Sequence, residues 1–75
     1  MVIFTDHAVM KLEQRNISKE LVIATLKNPE HCAESYGNRK ISYKKFGKLY
    51  LAVVWKSENS DMIVITEHWV AKIKK

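Results

Sequence analysis

Apolar positions in this chain follow two regimes, with Pro29 standing between them. Before it, they recur at helical spacing. Thr5 or Asp6 can cap a helix, and an acid there also suits the positive end of the helix dipole. Over His7–Arg15 the residues Ala8, Val9 and Leu12 form an apolar stripe, while His7, Lys11, Gln14 and Arg15 share the opposite, polar face. Asn16 closes this helix, because Asn tolerates the left-handed conformation a helix exit needs. Ile17 covers the turn. Ser18 caps a second helix from Lys19 to about Lys27, whose Leu21, Val22, Thr25 and Leu26 are spaced to lie on a sheet. Pro29 then biases Asn28 out of helical geometry. The short link between the two segments makes them an αα-hairpin.

After Pro29 the period changes to two. Cys32–Tyr36 reads as a weak strand and Gly37-Asn38 as a tight turn. Arg39–Phe46 alternates, with Arg39, Ile41, Tyr43 and Lys45 on one face and Lys40, Ser42, Lys44 and Phe46 on the other. Gly47 turns the chain into Lys48–Trp55, which is apolar at both parities and so predicts a central strand covered on both sides. Glu58–Asp61 is a polar loop, Met62–Trp69 the last clear strand, and Val70–Lys75 an edge extension or a frayed tail. Met1–Phe4 is a short β-prone run, either a first strand or a lead-in. The expected fold class is α+β: an N-terminal α-hairpin packed on one face of a three- to four-stranded antiparallel meander.

Seventy-five residues make a single domain, 1–75, burying only about 60% of its extended surface. That leaves no room for a deep cofactor cavity beside a core, so a shallow surface site is expected and no cofactor. Cys32 is the only cysteine, which excludes an internal disulfide and a cysteine-based zinc site and fits a reducing compartment. Three histidines, at 7, 31 and 68, lack the short spacing of metal ligands, so no metal is expected. No apolar run approaches a membrane span and the N-terminus is too short for a signal peptide, which makes a cytoplasmic protein with no membrane partner the default.

Charge changes the picture more. Residues 1–38 hold four basic and five acidic side chains, net −1, whereas residues 39–75 hold nine against three, net +6. A basic half on so small a domain is an electrostatic footprint for phosphate or an acidic partner, or a solvated sheet that blunts its own edges.

The stretch His7-Ala8-x-x-Lys11-Leu12-x-x-Arg15-Asn16-Ile17-Ser18, the second helix ending at Asn28-Pro29, the later Leu51-x-Val53-Val54 strand and Val64-Ile65-Thr66 resemble a small family of uncharacterised domains in the RelE/ParE-like toxin superfamily. Lys11 stands where that pattern has Arg and Asn16 where it has Gly. Asn keeps the left-handed turn, whereas Lys keeps the charge and loses the planar fork. The resemblance implies a RelE-like fold and a toxin-type activity. Superfamily relatives include ribosome-dependent and ribosome-independent ribonucleases and gyrase poisons. The partners it implies are RNA, on or off the ribosome, and an acidic antitoxin protein.

Metal-independent RNA cleavage needs a base for the 2′-hydroxyl, an acid for the leaving oxygen and cations at the phosphorane. Under that expectation His7, Lys11 and His68 are the catalytic candidates, and Arg15, Arg39, Lys44, Lys45 and Tyr43 hold RNA and phosphate. Plainer roles stand beside these. His7 can fix the hairpin, Arg15 can pair with a carboxylate, His31 falls in a loop, and the lysines can be a solvated face. Trp55 and Trp69 suit core and rim. Two functional readings therefore remain open: an RNA-binding, toxin-type endoribonuclease, or a non-catalytic module on the same fold for nucleic acid or an acidic protein.

Overall fold

The computed structural model describes residues 1–73. Its elements are β1 (Val2–Phe4), α1 (Asp6–Gln14), α2 (Lys19–Lys27), β2 (His31–Glu34), β3 (Arg39–Phe46), β4 (Leu49–Glu58) and β5 (Asp61–Val70). One five-stranded sheet has the order β1-β5-β4-β3-β2. The fold class is α+β, as expected, with two corrections. The sheet has five strands rather than three or four, and it is mixed, since β1 runs parallel to β5 with Val2, Ile3 and Phe4 opposite Met62, Ile63 and Val64. The parallel pair is reached only after the whole chain has crossed the sheet, a connection no local pattern signals. β2 also ends at Glu34, short of Tyr36, because the turn around Gly37 and Asn38 begins there.

The helical hairpin forms as its caps dictate. Thr5 accepts from the Ala8 amide at 3.1 Å and opens α1. Asn16 exits it at φ 54°. The Ile17 amide reaches Leu12 O at 2.8 Å and the Asn16 amide reaches Glu13 O at 3.3 Å, the paired bonds of a Schellman close. Ile17 and Leu12, the hydrophobic contact of that motif, are both buried. Ser18 caps α2 by accepting from Leu21 N at 3.3 Å.

Both helices lie on one face of the sheet. Ala8, Leu12, Ile17, Val22 and Leu26 pack there with Leu51, Val53 and Val64, joined at the rim by Phe4, Phe46, Trp55 and Trp69. Val9 is a correction: expected in the stripe, it is 44% exposed. Ser42 is buried on this face, where it accepts from Trp55 Nε1 at 2.9 Å.

A bulge decides what β5 presents. Val54 stands opposite Thr66 but Trp55 opposite Val64, so Ile65 is an extra residue on β5. Thr5 Oγ1 donates to Ile65 O at 3.2 Å, tying the bulge to the start of α1. Met62 and Val64 point to the helices before it. After it, the parity reverses: Glu67 and Trp69, opposite Val53 and Leu51, point inward, and Thr66 and His68 point to the other side.

Candidate nucleic-acid interface

The face opposite the helices carries the candidate chemistry. Strand register sets it out in rows running across the strands. His31, Tyr43, Ala52 and His68 form one row through β2, β3, β4 and β5. Ala33, Ile41, Val54 and Thr66 form the next. Beyond them lie Arg39, Lys56, Ile63 and Ile3 at one end, and Lys45, Tyr50 and Val70 at the other. The centre is thus aromatic and aliphatic, and cations bound it at both ends.

Local contacts stiffen the central row. The His31 and Tyr43 rings lie 5.8 Å apart, centroid to centroid. Tyr43 and Ala52 face away from the helices and are still only 8% and 1% exposed. Lys45 Nζ sits 5.8 Å from the Tyr50 ring centroid, a cation–π contact. The Lys45 amide donates to Glu30 Oε2 at 2.8 Å, which brings one carboxylate to this end of the face.

Arg15 holds the outer edge of β5. β1 pairs with only Met62–Val64, and beyond it Arg15 Nη1 donates to Glu67 O at 2.7 Å and to Thr66 Oγ1 at 3.5 Å. Its charge bears on two groups at once. Burial, and secondarily the Arg15 charge, hold the His68 imidazole below its ordinary value of 6.5, which favours the neutral ring. Burial pushes the Glu67 carboxyl up, against the opposing pull of Arg15.

The sequence-derived candidates fall into three places. Arg39, Tyr43, Lys45 and His68 share the open face. His7, Lys11 and Arg15 ride on or just after α1, on the helix side. There His7 is exposed, Lys11 donates to Gln14 Oε1 at 2.9 Å, and Arg15 reaches the β5 edge. Lys44 belongs to the helix side too, donating to Asn28 O at 3.1 Å. The structure therefore does not bring His7 and His68 to one face. His31 is not a loop residue but part of β2 beside Tyr43. Lys56 was missed, although its parity with Tyr50, Ala52 and Val54 signals it. Lys72, which follows β5 and borders this face beside Tyr50 and His68, was missed as well. Among the described residues no cluster of His, Cys, Asp or Glu is arranged to hold a metal ion, and no helix is long and apolar enough to cross a membrane.

The family model described as "Domain of unknown function (DUF4258)" matches residues 4–66, from the end of β1 to the residue after the bulge. No curated protein and no solved structure matches the chain.

Proposed function

Because the chain belongs to the DUF4258 family of domains of unknown function, whose description brings no activity with it, we propose from the site's own chemistry that the open sheet face binds single-stranded RNA, as a RelE-like, toxin-type domain would. One observation carries the reading: an aromatic and histidine row, His31-Tyr43-Ala52-His68, lies between cations at both ends of the sheet face away from the helices. Bases stack on imidazole rings such as the half-buried His31 and His68, and phosphates follow such cations. RNA, rather than another single strand, comes from the resemblance of the helical hairpin.

Cleavage is the second reading, favoured by His68. An imidazole held neutral accepts a proton at physiological pH, and His68 faces the same side as Tyr43 and Lys45. Any such chemistry is assigned to the open face rather than to His7.

The test is anisotropy of a labelled single-stranded RNA at rising salt, with a gel assay of the same RNA in EDTA. Engagement of Arg39, Lys45, Lys56 and Lys72 gives a log–log salt slope of about −3, at roughly −0.7 per phosphate contact. A Kd that does not move with salt overturns the reading. Copurification with a small acidic chain that blocks no RNA binding, because there is none, assigns the face to an antitoxin-like protein instead.

A further inference from the structure

The chain crosses its own open face after β5. Ala71, Lys72 and Ile73 lie over it and divide it into two grooves. One, of about 660 Å³, is lined by Tyr43, His68, Val70, Ala71, Lys72 and Ile73. The other, of about 560 Å³, shares the strap residues and is lined on its far side by residues including Glu30 and Lys45. Both volumes fall in the range of small-molecule sites, roughly 300–1,000 Å³.

The two differ in chemistry. In the second, the Glu30 carboxylate beside Lys45 opposes a phosphate. Among the described residues the first has no acid in its lining. Tyr43 borders it, Val70, Ala71 and Ile73 give it aliphatic walls, and Lys72 is its one described cation. A neutral imidazole supplies one N–H donor and one nitrogen acceptor, and a phenol supplies both in one hydroxyl, so His68 and Tyr43 can pair with the edge of a planar heterocycle.

We propose that the groove between Tyr43, His68 and the C-terminal strap seats a single nucleobase of the bound strand, its edge paired with His68 and the Tyr43 hydroxyl, with its phosphate at Lys72. This rests on the nucleic-acid reading of the face and adds to it a defined base seat. The strand then runs from the seat along the sheet toward Lys56 and Arg39, which occupy the far row of the same face. The base is the anchor, and the remaining cations hold backbone without regard to sequence.

Two labelled strands distinguish the seat from the face: a short single-stranded RNA, and the same strand with every base replaced by an abasic residue. Wild-type protein binds the intact strand about tenfold or more tighter at one salt concentration, within the range of paired hydrogen bonds to a base edge. Ala71→Leu, at an exposed position, fills the groove from the strap side and lowers the intact strand to the abasic level while leaving abasic affinity unchanged. Lys72→Ala weakens both strands alike. Equal wild-type affinity for the two strands, or an Ala71→Leu protein that binds the intact strand as wild type does, overturns the seat and leaves the face reading intact. Binding of neither strand by wild type overturns both.

Discussion

Arg15 binds Glu67 through its backbone and leaves the carboxylate alone. Nη1 donates to Glu67 O at 2.7 Å, whereas both carboxylate oxygens are buried with no hydrogen-bond partner among the described residues. Glu67 as a whole is 0% exposed, facing the helices beside Val53. A buried polar group without a partner costs about 1–3 kcal/mol by mutational measures. The acid responds by taking a proton more readily than usual.

The consequence is a stability that falls as pH rises. The unfolded carboxyl titrates near 4.5 and the folded one higher, so between the two the native state holds more protons. Its contribution is complete below 4.5 and is lost as pH rises through the folded value. Glu67→Leu removes that dependence and raises stability at neutral pH by about 1–3 kcal/mol. Urea unfolding at pH 4, 5.5 and 7 checks it. If wild type and variant show the same pH slope, Glu67 is not the titrating group.

The turn between β4 and β5 holds a second reserve of stability. Asn59 and Ser60 both have positive φ, 49° and 69°, the pair of left-handed residues that a type I′ hairpin requires. Asn accepts this conformation and Ser does not, at a cost on the order of 1 kcal/mol. Ser60→Gly is expected to stabilise the protein by about that amount, raising its thermal midpoint by roughly 4–8 °C for a domain of this size. A midpoint unchanged or lowered in calorimetry would show the turn to be relaxed as it stands.

How much of this was legible in the chain turns on particular residues. The hairpin was, because Ser18, Asn16 and Pro29 act within a few positions of themselves. The two-faced character of β4 was, because Leu51, Ala52 and Val53 are apolar at both parities. β1 was not settled, since three residues carry no period and their partner lies some sixty positions away. Within β5, alternation alone puts Thr66 with His68 and Glu67 with Trp69 on opposite faces, and the register agrees. Which of the two pairs meets the helices was not legible, because a bulge at Ile65 inserts one residue and exchanges the faces, turning Glu67 in and His68 out. Nothing in Val64-Ile65-Thr66 announces it; the bond from Thr5 to Ile65 O does, and that is a tertiary contact. The two faces of β3 were likewise assigned correctly from alternation alone.

That assignment yields a paired experiment. Lys45 lies on the open face and Lys44 on the helix side, although they are adjacent in sequence. Lys45→Ala is expected to reduce the salt slope of RNA binding by about 0.7, the loss of one phosphate contact on a single strand. Lys44→Ala leaves the slope unchanged, since its charge points away. Equal effects of the two substitutions would mean that net charge, not the face, governs binding.

The proton chemistry of the open face is readable without any substrate. The His68 imidazole is held below 6.5 first by burial and then by Arg15, so its NMR titration midpoint is expected below that value, and Arg15→Gln moves it upward by removing one of the two causes. Stability follows with the opposite sign to Glu67: the His68 contribution is present above 6.5 and lost as pH falls through the folded value. In a cleavage assay the same assignment separates two histidines. His68→Ala lowers the rate by about 10²–10⁴, the usual worth of a positioned acid or base, and His7→Ala leaves it nearly unchanged. The reverse ranking, with His7 essential, would return the chemistry to the helix side. There Lys11, one turn further along α1, is the neighbouring cation.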